Sequence, residues 1–224
     1  MAYKAAESFF AFTGVQNRGT AIHIEKHIPF SAGLAGGSAD AAATVAALDR
    51  LYGTLLSDNE KCRIGAKVGA DVPFCLVGGT CLAQDIGQVL SPLMPLKNCF
   101  FVLVKPKQSV STKAAYQAFD DESRVRHLDR CSMLHYAAKG DFEKICQYAG
   151  NVFEQFIEVH ERVEIKRMMR AHNAKCALMS GSGPTIYGVF ENESDAENCM
   201  RECKKIVDDI FICKPVNHGC KIME

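Results

Sequence analysis

Hydrophobic and polar positions along the chain change period several times, and each change marks an element. Tyr3, Ala6, Phe9 and Phe10 recur at helical spacing across 2–12, and Gly14 follows as a stop. Over 20–28 the period drops to two, with Ile22, Ile24 and Ile28 set between polar residues. That alternation predicts a half-buried strand ended by Pro29. A glycine-rich turn over 31–37 leads into 38–48, whose alanine content predicts a helix. Ser57 with Glu60 three positions later is a capping box, and it predicts a helix running through 62–68. Gly78 and Gly79 interrupt a predicted strand pair around 74–83, and 91–97 reads as a Pro-containing loop.

The second half predicts a strand over 100–104, helices from about 112 to 171, and strands over 177–179 and 185–190. A helix over 195–207 and a strand over 210–213 follow. Setting the extra helices aside, the order is β-α-β-β-α-β, that of a ferredoxin-like two-layer sandwich. The loop at 91–97 places a domain boundary there, giving an N-terminal domain over 1–92 and a C-terminal domain over 93–224.

Composition narrows the function classes. With 26 Lys and Arg against 26 Asp and Glu, the 224 residues carry no net charge, and 48% are hydrophobic. A non-specific nucleic-acid binder needs a basic surplus, so the charge balance argues against that class, whereas small anionic ligands need only a local positive field. The longest apolar runs, such as 100–104, fall far short of the roughly 20 residues that span a bilayer. Met1 to Glu7 has no basic-then-apolar layout, so no secretion signal is expected. Eleven cysteines without a Cys-x-x-Cys pair predict reduced, mostly buried thiols in a cytoplasmic chain. Cys213, His218 and Cys220 match no standard zinc spacing.

Three stretches carry candidate chemistry. Pro29-Phe30-Ser31-Ala32-Gly33-Leu34-Ala35-Gly36-Gly37-Ser38-Ala39-Asp40-Ala41 reads as strand, glycine turn and helix start, the geometry that binds phosphate. Glycines let backbone N–H groups approach an anion, and the helix N-terminus adds its positive dipole end. Ser38 either caps the helix or meets a phosphate oxygen or Mg²⁺, and Asp40 would repel a polyphosphate unless a cation lies between them. The spacing is neither a Walker loop nor a dinucleotide fingerprint. In Gly69-Ala70-Asp71-Val72-Pro73-Phe74, Asp71 is expected between a helix end and a strand start, as a general base or as a plain turn acid. Ser180-Gly181-Ser182-Gly183-Pro184-Thr185 lies between two strands and offers a second backbone approach to a ligand. Weaker groupings read as ordinary surface or core: the polar strand face of His23, Glu25 and His27, the acidic run Asp120-Asp121-Glu122, the Cys75 and Cys81 pair, and Met168-Met169.

Taken jointly and in this order, the three stretches, with Gly78-Gly79-Thr80 and Val110-Ser111-Thr112, resemble the GHMP kinases over the chain from about Ala2 onward. Within that superfamily the Gly-Ala-Asp-Val-Pro-Phe string is most similar to the branch that acts on a cytidine diphosphate derivative of methylerythritol. The resemblance implies an α+β GHMP kinase fold: a truncated N-terminal ribosomal-S5-like domain plus a C-terminal ferredoxin-like α/β sandwich. It implies ATP and Mg²⁺ as cofactors and cytidine diphosphate methylerythritol as the small-molecule substrate, phosphorylated at its 2-hydroxyl for isoprenoid precursor synthesis. No nucleic acid or membrane partner is implied, and a homodimer is possible. Position by position, Gly33, Leu34, Ala35, Gly36, Gly37 and Ser38 would cradle the phosphates, with Ser38 near the metal. Lys26 would lie toward the adenine, and Asp71 would take the substrate hydroxyl's proton. Tyr116 would stack on the cytosine, and Gly181, Ser182 and Gly183 would line the substrate side of the phosphates.

One family feature has no counterpart. These kinases open with a strand and a Pro-Ala-Lys-Ile-Asn-Leu-like motif, whose lysine pairs with the catalytic aspartate. Asp71 is therefore expected to lack a lysine partner, and the first domain to show an unpaired strand edge and uncovered apolar surface. The explanations are a shortened sequence, strands supplied by another chain, or a catalytically crippled remnant. The alternatives in function are another GHMP small-molecule kinase and a non-catalytic nucleotide-binding fragment.

Overall fold

The computed structural model describes residues 1–120 and 125–223, so Asp121 and Glu122 of the acidic run lie outside the described residues. The chain forms two compact units. The first comprises 1–27, 35–95 and 216–224, and the second comprises 28–34 and 96–215.

The first unit contains four helices and a hairpin: α1 (Ala2–Thr13), α2 (Gly36–Tyr52), α3 (Asp58–Ala66), α4 (Val72–Val77), β1 (Cys81–Gln84) and β2 (Val89–Pro92). Its core joins Ala5 and Phe9 of α1, Ala41, Ala42, Val45 and Leu48 of α2, Ile64 of α3 and Val72 of α4. Alanine on both facing surfaces lets α1 and α2 pack closely, and Phe9, Phe10 and Tyr52 add edge and tilted ring contacts. The capping box at α3 is present as read: Ser57 accepts from the Glu60 N–H, and Glu60 accepts from the Ser57 N–H. Near the end of α4, the Cys220 N–H donates to the Cys75 carbonyl at 3.0 Å.

Two expectations for this unit are corrected. The alternating stretch over 20–28 forms no strand. Alternation supplies a half-apolar face but not the hydrogen bonds of a ladder, and no described strand lies beside it. Ile22 and Ile24 are 41% and 45% exposed, so the apolar side of this stretch is uncovered. The strand pair expected around 74–83 is instead α4 followed by β1, with Gly78 as the helix stop. Pro73 sits in the first turn of α4, where its missing N–H costs nothing, and a short apolar run does not by itself tell helix from strand.

The second unit is built on β3 (Phe100–Lys105), β4 (Cys176–Met179), β5 (Ile186–Phe190) and β6 (Asp209–Cys213), in sheet order β4-β5-β3-β6, all antiparallel. That order is the ferredoxin-like arrangement the sequence pattern predicts. Between β3 and β4 lie α5 (Thr112–Asp120), α6 (Arg130–Lys139), α7 (Phe142–Tyr148), a 3₁₀ turn (Val152–Gln155) and α8 (Arg162–Ala171); α9 (Glu193–Cys203) joins β5 to β6. Ile165, Met168 and Met169 of α8 and Ala196, Cys199 and Cys203 of α9 recur at helical spacing, and they bury against Val102, Val104, Ile186 and Phe190 of the sheet. All eleven cysteines are free thiols. Among the described residues, no helix is long and apolar enough to cross a membrane, and no group of three or more His, Cys, Asp or Glu could hold a metal ion.

Phe9 is fully buried, whereas Tyr3 on the same helix is 73% exposed. Phe9→Ala is expected to lower the unfolding free energy by about 3–5 kcal/mol and Tyr3→Ala to change it by no more than about 0.5 kcal/mol, as read from urea denaturation.

Candidate active site

The glycine-rich stretch behaves differently at its two ends. In the first unit, α2 begins from Ala35, which holds a left-handed conformation (φ 50°) and makes no side-chain cap bond. Gly36, Gly37 and Ser38 are the first three helical residues, so their N–H groups have no partner within the helix. Ser38 is therefore not the cap; it is buried at the third helical position. Asp40, one turn in, is paired with Lys26 at 2.5 Å, and both side chains are largely buried. This pairing offsets the negative charge that would otherwise repel an anion at the helix start.

The Asp71 turn lies beside that helix start. The Met1 side chain packs against both Gly37 and Gly69, and α2 packs on α4. Asp71 precedes α4 in the helix-cap position, not a strand, and its exposed carboxylate makes no capping bond. Among the described residues, no lysine or arginine forms an ion pair with it. One turn on, the Cys75 thiol is pushed up to about 11, first by burial and then by the Asp71 charge, so it stays protonated and is not a nucleophile at neutral pH.

In the second unit, the other end of the glycine stretch is fastened to the 180–185 turn. The Ser180 hydroxyl donates to the Gly33 carbonyl at 2.7 Å, and the Thr185 N–H donates to the Ala32 carbonyl at 3.3 Å. The approach is close enough that a Cβ on Gly33 (φ 71°) would stand 2.7 Å from the carbonyl oxygens of both Ser180 and Gly183. Ser182 is buried, and its hydroxyl shares a 3.1 Å hydrogen bond with that of Thr112 at the start of α5. Tyr116, one turn along α5, is 56% exposed and meets Phe153 edge-on at 5.1 Å.

The structure thus groups Lys26, Gly36, Gly37, Ser38 and Asp71 in one unit, and Gly33, Leu34, Tyr116, Gly181, Ser182 and Gly183 in the other. Sequence reasoning missed Asn151, whose side-chain amide donates to the carbonyls of Met179 and Gly181. Its local signal is a turn cap, since its Oδ1 accepts from the Phe153 N–H. Nothing in the local sequence marks the reach to a turn nearly thirty residues away.

The family described as "GHMP kinases N terminal domain" matches residues 1–79, and "GHMP kinases C terminal" matches 133–209. A curated relative from Clostridium tetani, 4-diphosphocytidyl-2-C-methyl-D-erythritol kinase, is 36% identical over 96% of this chain and 78% of its own length. The Geobacillus kaustophilus protein of the same name is 38% identical over 94% of this chain and 73% of its own. A solved structure of 4-(cytidine 5'-diphospho)-2C-methyl-D-erythritol kinase superposes with a TM-score of 0.75 at 30% identity, covering 94% of this chain and 76% of that one. A homoserine kinase from Cytophaga hutchinsonii shares the fold, with a TM-score of 0.74 at 19% identity over 87% of this chain and 69% of its own.

Alanine at position 33 would combine a left-handed backbone with the carbonyl clash. Gly33→Ala is expected to destabilise the fold by about 2–4 kcal/mol. Gly19→Ala, at φ 92° with open space around it, is the control that carries backbone strain alone and should cost less. Urea unfolding of both variants measures the difference.

Proposed function

The chain belongs to the GHMP kinases, and from that premise we propose that it transfers the γ-phosphoryl group of ATP to the 2-hydroxyl of 4-diphosphocytidyl-2-C-methyl-D-erythritol. The substrate is that of the relatives from Clostridium tetani and Geobacillus kaustophilus. The observation that carries the reading is the pairing of an uncapped α2 N-terminus with a neighbouring carboxylate not used for capping, that of Asp71.

The residues present fit a nucleotide polyphosphate. The N–H groups of Gly36, Gly37 and Ser38, at the positive end of a 17-residue helix, form a donor set for phosphate oxygens. In the same reading Ala35, left-handed at the helix start, shapes the approach to those donors. Lys26 keeps Asp40 neutralised there. The Ser38 hydroxyl is the group that would meet Mg²⁺. With no cluster of acids among the described residues, such an ion would rest chiefly on phosphate oxygens and water. Magnesium ATP supplies the phosphoryl group and offsets its charge.

Asp71 orients the substrate hydroxyl and accepts its proton as the new P–O bond forms and the bond to ADP breaks. Positioning and charge stabilisation account for most of the catalysis in such transfers, with little covalent work for the protein. Tyr116, exposed and held edge-on by Phe153, offers a ring face to the cytosine. Gly181, Ser182 and Gly183 present backbone to the substrate.

A second reading, nucleotide binding without turnover, needs only the amides that open α2 and not the Asp71 carboxylate. Steady-state assay with ATP and the cytidine substrate separates the two. Turnover supports the kinase; ATP binding without product supports the second reading. Saturable binding of cytidine nucleotides separates the proposed substrate from those of other GHMP kinases. Asp71→Asn is expected to lower kcat by about 10²–10⁴-fold and to leave nucleotide affinity unchanged, as measured by calorimetry. Near-normal turnover in Asp71→Asn removes the base assignment.

A further inference from the structure

Met179 ends β4, which lies at the edge of the sheet, so its outward N–H and C=O have no partner strand. Both are taken up by side chains from 151–154. The Glu154 carboxylate accepts the Met179 N–H through Oε1 at 2.6 Å, and its Oε2 accepts from Lys166 Nζ of α8 at 2.6 Å. The Asn151 amide donates to the Met179 carbonyl and to the Gly181 carbonyl, at 2.7 Å each. Its Oδ1 accepts from the Phe153 N–H at 2.9 Å, which fixes the orientation of the amide. All three polar directions most useful to that side chain are therefore filled. The Glu154 and Lys166 side chains are only 18% and 14% exposed, so their pairing is shielded from solvent.

The turn beyond Met179 is held in part by groups outside it: Ser180 bonds to Gly33, Ser182 to Thr112 and Gly181 to Asn151. Gly181 (φ 51°) and Gly183 (φ 86°) are left-handed and permissive, and within the turn the Gly183 N–H donates to the Ser180 carbonyl and the Ser180 N–H to the Thr185 carbonyl, each at 2.8 Å. Among the described residues, the N–H groups of Gly181 and Ser182 donate to no acceptor. Successive N–H groups on such a turn make an anion-binding concavity, but only while the turn keeps one conformation.

We propose that Asn151 and Glu154 are positioning residues that clamp the Met179 to Gly181 backbone, so that the Ser180–Gly183 turn is preshaped for the substrate. This rests on the reading that the turn contacts the substrate of a kinase; the clamp itself is a statement about the turn and can be tested without catalysis. Neither residue touches the reacting atoms. Each acts through the backbone of the turn, and preorganisation of this kind is worth more to the bound transition state than to the fold.

Asn151→Asp is nearly isosteric and turns a double donor into a carboxylate facing two carbonyl oxygens. Its kcat/KM is expected to fall by about 10–100-fold at pH about 8. The deficit relative to wild type should narrow as pH falls toward about 5, because the protonated acid regains one donor. Asn151→Ala, which has no group to titrate, should show a deficit independent of pH. A purely structural role would give Asn151→Asp the same flat deficit as Asn151→Ala, and that result, or wild-type rates in Asn151→Asp, overturns the proposal. Hydrogen exchange of the full chain supplies the arm that does not need activity. The amides of Met179 and Gly183 should exchange faster in Asn151→Asp than in wild type, with α1 and α2 unchanged. If they exchange at the wild-type rate, the clamp is wrong even if the chain is a kinase. If wild type shows no turnover while the exchange difference appears, the kinase reading fails and the clamp stands.

Discussion

A helix has to satisfy the N–H groups of its first turn, and α2 leaves its own without a side-chain acceptor. Elsewhere the chain follows the usual solution: Ser57, Asp129 and Asp141 each accept a first-turn N–H at the starts of α3, α6 and α7. An uncapped start is not unique to α2, since α1, α4, α8 and α9 also lack a side-chain cap bond. What sets α2 apart is a left-handed alanine followed directly by two glycines, on the longest helix among the described residues. Every step of the functional account depends on those donors being available to an anion. The Lys26 and Asp40 pair matters for the same reason, because a bare carboxylate one turn in would cancel much of the field.

The second unit addresses a related problem in reverse. There the backbone is flexible by composition, and the surroundings remove the freedom. Ser180 and Thr185 hold the Ala32 and Gly33 carbonyls, and Asn151 and Glu154 hold the Met179 backbone. Thr112 shares a hydrogen bond with Ser182. Glycine admits the close approach, and polar side chains from distant segments fix it. The ferredoxin-like sheet beneath supplies the rigidity, with an apolar core that includes Val102, Val104, Ile165, Ile186 and Phe190.

Much of this was legible in the sequence wherever the signal is local. The helix at α2, the capping box at α3 and the strand order of the second unit all follow from periodicity, composition and capping chemistry. The errors fall where a local pattern needs a distant partner. Residues 20–28 alternate as a strand does but have no described ladder to join, and Val72 to Val77 is too short for period to decide between helix and strand. At the site, glycine spacing and the lone acid at position 71 were visible because they are peculiar in themselves. Asn151 was not, because an asparagine opening a turn looks the same whether or not its amide reaches a glycine turn far along the chain.

The central claim is that the amides opening α2 receive the phosphates of a nucleotide, and it is tested most directly by following the backbone amide resonances of the ¹⁵N-labelled chain during titration with magnesium ATP. The account predicts that Gly36, Gly37 and Ser38 show the largest saturable shifts in the first unit. Saturable shifts elsewhere in that unit with these three unmoved, or no saturable shift at all, would contradict it.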